Sequence, residues 1–234
     1  AQVLGFVGTD DKGLDGLEMV LDDELKGGIQ KELVATDRKG NAIFGSVLSK
    51  YLPDKGKSVT LTIDASIQFI AERALDKAME DTGAKHASVI VMDPKTGEIL
   101  AMANRPTYDP NHYSQGSEED FKNIAVTNLY EPGSTFKPII ASAALASGKW
   151  KLDQVYNDKG SFVANGHVMQ NWNGEGYGPV RLIDILKFSI NTGMAEIGTT
   201  TGADILSKYV RNYGFGSETG IELPGEGAGI LYNP

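Results

Sequence analysis

The chain has 234 residues, 41% of them hydrophobic and 23% charged, the balance of a globular protein with room for one sizeable core and a smaller appendage. Its 22 Lys and Arg against 31 Asp and Glu leave a net charge of -9 spread along the chain, which disfavours nucleic acid because binding phosphates needs a basic face. Zero cysteines exclude disulfides, thiolate metal sites and cysteine nucleophiles, and no apolar run approaches the roughly 18 residues of a membrane span.

In chain order, Ala1 to Asp10 has neither a charged nor an apolar leader region, so any anchor or signal is expected to lie outside this sequence. The first fifty or so residues are rich in Gly and Asp, without a long helical period, and read as a small loop-rich region. After the turn residues Pro53-Asp54-Lys55-Gly56, the alternation of Val59 to Ile63 predicts a strand, and Asp64 is placed to cap a helix. Ile67, Ile70, Ala71, Ala74, Leu75, Ala78 and Met79 give that helix one apolar face to about Asp81, and Gly83 stops it.

Ala87 to Met92 and Glu98 to Ala103, joined by Asp93-Pro94-Lys95-Thr96-Gly97, predict a hairpin central to a sheet. Arg105 to Tyr130 reads as polar and irregular, with Ser117 to Asp120 a solvated acidic loop. Ser134 to Ser147 predicts a helix closed by Gly148, with Pro138 tolerable in its first turn. A loop-rich stretch holding Trp150 and Trp172, read as core or cleft-wall residues, leads to predicted helices at Val180 to Phe188 and Ala203 to Tyr213. The fold class expected from this order is α/β (α+β), with helices packed on an antiparallel sheet.

Ser134 and Lys137 lie three residues apart where a helix begins, so both project from one face of its first turn. A serine hydroxyl needs a neighbouring base to become a nucleophile, and a partly desolvated lysine has its pKa lowered enough to serve. The helix N-terminus adds N–H groups and positive potential for a developing oxyanion. Alone, such a pair is more often a capped helix with a solvated lysine. Here Glu131-Pro132-Gly133 makes a tight turn before it, and Ser189-Ile190-Asn191 follows 55 residues after Ser134, adding a proton relay and an amide for a peptide substrate. His86, His112 and His167 are scattered and, without cysteine or a paired carboxylate motif, suggest no metal site, and a Ser-His-Asp triad, allowed by residue count, has no nucleophile-elbow pattern to support it.

Tyr130-Glu131-Pro132-Gly133-Ser134-Thr135-Phe136-Lys137-Pro138 resembles the active-site signature of class B penicillin-binding proteins, the peptidoglycan D,D-transpeptidases. Leu4 to Gly8 and Gly13 to Glu18 are similar to the end of that family's N-terminal pedestal, and Leu61 to Asp64 with Ile67-Gln68 to its transpeptidase opening. Tyr213 to Gly216 and Thr219 to Glu226 match a stretch that follows the Ser-x-Asn motif. The resemblance implies a penicillin-binding/serine β-lactamase-like transpeptidase fold, with residues 1–55 the C-terminal part of a dimerisation-type pedestal and 56–234 the N-terminal part of the transpeptidase domain.

On that resemblance Ser134 attacks the D-Ala-D-Ala carbonyl of a stem peptide and Lys137 takes its proton. Ser189 relays it to the leaving D-Ala, Asn191 holds the substrate amide, and penicillins acylate the same serine. The family also implies a place on the outer face of a bacterial membrane, in cell division or cell shape, beside cell-wall partners such as a glycosyltransferase, with no cofactor and no metal. Its third motif, a Lys-Thr/Ser-Gly on a later strand, is not found after Ser189, and Lys95-Thr96-Gly97 lies in the predicted hairpin turn, so an incomplete fragment of a longer enzyme is expected. A serine β-lactamase or penicillin sensor shares the Ser-Thr-Phe-Lys tetrad, but the pedestal-like region argues against it, and the intact quartet argues against a non-catalytic scaffold.

Overall fold

The computed structural model describes residues 1–28, 31–51 and 55–232. The chain forms two compact units, one of Ala1–Asn128 with Ile221–Glu226, the other of Leu129–Gly220 with the residues from Gly227 onward. Strand pairing is antiparallel throughout, in four two-stranded sheets among the described residues.

In the first unit the N-terminal region is more regular than its composition suggests. Helices α1 (Gly16–Val20) and α2 (Asp22–Leu25) precede a hairpin of β1 (Lys31–Thr36) and β2 (Ala42–Tyr51). Its turn is nucleated by Asp37, whose Oδ1 accepts from Lys39 N–H at 2.8 Å and Asn41 N–H at 3.0 Å. The Pro53-Asp54 part of the expected turn lies outside the described residues. Val59 to Ile63 is not a ladder strand: only Thr62 Oγ1, donating to Ile99 O at 2.7 Å, and Asp64 N–H, donating to Leu100 O at 2.9 Å, join it to the neighbouring strand.

Helix α3 (Ala65–Thr82) begins and ends where its capping residues dictate. Asp64 accepts from the N–H groups of Ser66 and Ile67, and Gly83 takes the left-handed conformation, φ +65°. Only part of its apolar face is covered: Ala71 and Leu75 are buried, whereas Ile70 stays 66% exposed and Phe69, off that face, 59%. The helix packs on β4 (Ile99–Arg105), the second strand of the expected hairpin with β3 (Ala87–Met92). Gln68 fixes the contact, its Nε2 donating to Met102 O at 3.1 Å and its Oε1 accepting from Met102 N–H at 2.9 Å.

The hairpin is not central. Strand β3 is an edge of its two-stranded sheet, and Ile90 and Met92 on one of its faces are about half exposed. The acidic run expected as a loop forms α4 (Glu118–Phe121), because the Asp120 carboxylate accepts from both the N–H and the hydroxyl of Ser117 at 2.8 Å. Next, α5 (Ile124–Thr127) is tied to β4 by the buried pair Asn104 and Asn123, 2.8 Å apart.

The second unit is built around α6 (Lys137–Ala146), α7 (Leu182–Lys187), α8 (Asn191–Thr201) and α9 (Ala203–Asn212), with two small sheets between α6 and α7. Strand β5 (Val155–Asp158) pairs with β8 (Gly178–Arg181), and β6 (Ser161–Ala164) with β7 (His167–Gln170). The predicted helix from Val180 is thus a strand to Arg181 and a helix only from Leu182. The core gathers Ala144, Trp150, Leu182, Ile185, Ile190 and Ile197. Trp150 is part of it, but Trp172 is 78% exposed. Gly193 lets α8 approach α7 closely, since a Cβ there would lie 2.8 Å from the Ile185 side chain.

Candidate active site

The expected helix at Ser134 opens as one 3-10 turn, Gly133–Phe136, before α6 starts at Lys137. Three residues make one turn of a 3-10 helix, so side chains at i and i+3 eclipse and the serine and lysine share one side. Gly133, at φ +58°, supplies the left-handed step into this turn. Thr135 Oγ1 donates to Pro132 O at 2.7 Å, and the Phe136 ring packs edge-on against Phe215 at 5.1 Å. Ser134 itself is exposed.

Ser189 arrives by a different device. Helix α7 ends in a Schellman motif, with Ser189 N–H donating to Leu186 O at 3.2 Å and Ile190 N–H to Ile185 O at 2.9 Å. The motif requires one left-handed residue, usually glycine, and here that residue is Ser189 at φ +53°. Ile190 and Ile185, 1% and 0% exposed, supply the apolar contact that accompanies such a cap. A strained non-glycine conformation held by buried neighbours is characteristic of functional positions.

These two turns bring the four expected side chains together. Lys137 Nζ donates to Ser189 O at 2.7 Å, Ser189 Oγ at 2.9 Å and Asn191 Oδ1 at 2.7 Å. Ser189 Oγ in turn donates to Ser134 Oγ at 3.0 Å. The order along the hydrogen bonds is therefore lysine, second serine, first serine. Burial lowers the Lys137 pKa from the usual lysine range, and the three partners around it are neutral acceptors. An apolar cleft of about 470 Å3, walled by Phe136, Ile140, Met169 and Met194, borders Lys137 and Asn191.

Residues 87–234, more than half of the chain, match the family model described as the penicillin binding protein transpeptidase domain. The chain belongs to this family. It is 40% identical over 235 residues to stage V sporulation protein D of Bacillus subtilis, covering 99% of this chain and 36% of that protein. It is 31% identical over 230 residues to the peptidoglycan D,D-transpeptidase FtsI of Escherichia coli, covering 98% and 38%. The solved structure of penicillin binding protein 3 of Mycobacterium tuberculosis complexed with aztreonam superposes with a TM-score of 0.81 at 31% identity, covering 99% of this chain and 48% of that one. The chain thus spans well under half the length of these curated relatives.

Within this transpeptidase-family chain, Lys95-Thr96-Gly97 is a hairpin turn, as expected, with Gly97 at φ +81° and its N–H on Asp93 O at 2.8 Å. His86 pairs with Glu119 at 3.1 Å and His112 with Asp109 at 2.8 Å, and no group of three or more potential metal ligands gathers among the described residues. None of the described helices is long and apolar enough to cross a membrane. Sequence reasoning missed Asn171, which follows β7 and contacts the start of α8: its Oδ1 accepts from Asn191 N–H at 3.1 Å and Thr192 N–H at 3.2 Å. Its signal is faint, an Asn beside Trp172 in a stretch that reads as loop.

Proposed function

We propose that this chain carries the acyl-transfer centre of a peptidoglycan D,D-transpeptidase, with Ser134 as nucleophile, Lys137 as base, Ser189 as proton relay and Asn191 as substrate-binding amide. The observation that carries the reading is the continuous hydrogen-bonded run from Lys137 through Ser189 to Ser134. Once Lys137 is neutral, reorientation of two hydroxyls turns that run around, so that Ser134 donates to Ser189 and Ser189 to the amine. Ser134 Oγ then attacks the penultimate D-Ala carbonyl carbon of a stem peptide. As the C–N bond breaks, Ser189 passes a proton to the departing terminal D-Ala and recovers one from Lys137.

The amine of a second stem peptide attacks the resulting ester, its proton returns along the same run, and Ser134 is released as the crosslink forms. Asn191 Nδ2, which gives one bond to Gln170 O at 3.2 Å, has a second N–H to offer the substrate backbone. β-Lactams acylate Ser134 in place of the dipeptide. The relatives' names support both the D,D-transpeptidase chemistry and the β-lactam sensitivity.

The same reading takes residues 1–55 as pedestal and 56–234 as the first part of the transpeptidase domain. It places the protein on the outer face of the bacterial membrane, working with a glycosyltransferase in wall synthesis. Incubation with a fluorescent penicillin tests it: a covalent adduct that outlasts washing by many minutes is expected. Rapid release of hydrolysed penicillin points instead to a β-lactamase, and no adduct at all contradicts the serine acyl-transfer reading.

A further inference from the structure

Helix α8 carries Asn191 in its first turn, yet the residue at its N-cap is Ile190, which offers no side-chain acceptor. The first N–H groups of a helix have no partner inside it, and here a residue 20 positions upstream supplies one. Asn171 Oδ1 takes the N–H groups of Asn191 and Thr192, at 3.1 and 3.2 Å, while its Nδ2 donates to Asp158 Oδ2 at 2.7 Å and Glu175 O at 2.9 Å. With acceptors and donors engaged on opposite ends, the amide has one workable orientation.

Asp158 anchors this arrangement. Its carboxylate accepts from Thr192 Oγ1 at 2.6 Å, Gly160 N–H at 2.9 Å and Tyr177 N–H at 2.9 Å as well as from Asn171. Asp158, Asn171 and Thr192 are 2%, 4% and 0% exposed. Burial works against the charged form, but the four hydrogen bonds outweigh it and leave the pKa lowered. A buried polar network of this kind fixes one arrangement when every member is satisfied.

We infer that Asn171 is a positioning residue of the acyl-transfer site, capping α8 so that Asn191 and the adjoining Ser189 meet Lys137 and Ser134, with Asp158 locking the cap. This rests on the function proposed above. The consequence is kinetic: Asp158, Asn171 and Thr192 do not line the cleft, but a displacement of the α8 start by about 1 Å costs on the order of 100-fold in rate.

The test uses the full-length protein and fluorescent penicillin, reading the acylation rate constant, the concentration that half-saturates it, the final labelled fraction and the melting temperature. For Asn171→Ala the rate constant is expected to fall on the order of 100-fold, with the labelled fraction unchanged. Labelling of the folded fraction at the wild-type rate constant, with only the fraction or the melting temperature lowered, would make Asn171 a fold-stability residue and overturn the inference.

If Asn171→Ala does not fold, Asn171→Asp decides, alone and with Asp158→Asn. The single change sets two carboxylates against each other, and the double change restores the donor–acceptor pair between positions 158 and 171 with the places exchanged, while the bonds to Tyr177 N–H and Glu175 O stay unmatched, so recovery is expected to be partial. Recovery of the rate constant by at least about tenfold in the double variant supports positioning, and equal rate constants in the two overturn it. Wild-type protein that labels no faster than Ser134→Ala would remove the acyl-transfer reading itself, and this inference with it.

Discussion

The site is made by two turns that hold a serine in opposite ways. Ser134 stands on a 3-10 turn with ordinary dihedrals, open to solvent, its backbone steadied by Thr135 and by the Phe136–Phe215 contact. Ser189 occupies the left-handed position of a Schellman cap, over a buried isoleucine pair and against a lysine that bonds both its Oγ and its carbonyl. In the proposed function Ser134 is the nucleophile and must be reachable, so its turn spends little on confinement, whereas Ser189 as the relay must hand protons between fixed partners, and the backbone there carries strain to fix it.

That contrast makes distinct predictions for the two turns. Ser134→Ala should abolish β-lactam acylation, a loss on the order of 10^4-fold or more, while shifting stability by no more than about 0.5 kcal/mol because the side chain is exposed; fluorescent-penicillin labelling checks the first half and a denaturant titration of wild type and variant the second. Lys137→Met should lower the acylation rate constant on the order of 10^3-fold.

The pH profile of the wild type carries the same information. A lysine with a lowered folded pKa loses its proton sooner as pH rises, so the ascending limb of acylation should lie below 10.5, the ordinary value. The sign for stability is opposite to that of a paired lysine: the unfolded chain binds the proton more tightly, so this group's penalty falls as pH rises from its folded pKa towards 10.5.

At Ser189 activity and stability should separate. Ser189→Gly and Ser189→Ala both lose the relay and should acylate on the order of 10^2-fold more slowly. The glycine variant suits φ +53°, and should be the more stable of the two by about 1 kcal/mol. Equal stabilities would show that the left-handed conformation is not carried by the side chain's identity. The smallest effect concerns the helix beneath: Gly193→Ala crowds Ile185, an overpacking cost of about 1–3 kcal/mol offset by up to about 1 kcal/mol of helix propensity, visible as a lowered melting temperature with acylation largely retained.

The same division explains what could be read from the sequence. Helix α3, the β3–β4 hairpin, α6 and α9 were legible because each carries its own signals: Asp64 and Gly83 at the ends of α3, Gly97 in the turn, an apolar period in α9. The quartet Ser134, Lys137, Ser189 and Asn191 was legible from motif spacing, although the 3-10 character of the first turn was not. Helix α8 was missed because its sequence, with three threonines and a glycine near its end, is a weak helix former. Its stability comes from burial of Met194 and Ile197 and from a cap supplied by Asn171.

Strands β5 and β8 pair across 19 intervening residues, a contact no local pattern announces. The β6–β7 hairpin is a different case, since Asn165-Gly166, with φ +49° and +80° between Ala164 and His167, is the usual two-residue hairpin turn and was available to be read. The reverse error, a strand expected at Val59 to Ile63, shows that alternation alone does not supply a partner.

The central claim is that Ser134, served through Ser189 by Lys137, is the residue that becomes acylated. Mass-spectrometric mapping of the protein after brief exposure to penicillin tests it directly. The account predicts one adduct of the intact drug's mass, on the peptide containing Ser134 and on that side chain. An adduct on Ser189 or another residue, or an unmodified Ser134 peptide in protein that is otherwise folded, would contradict it.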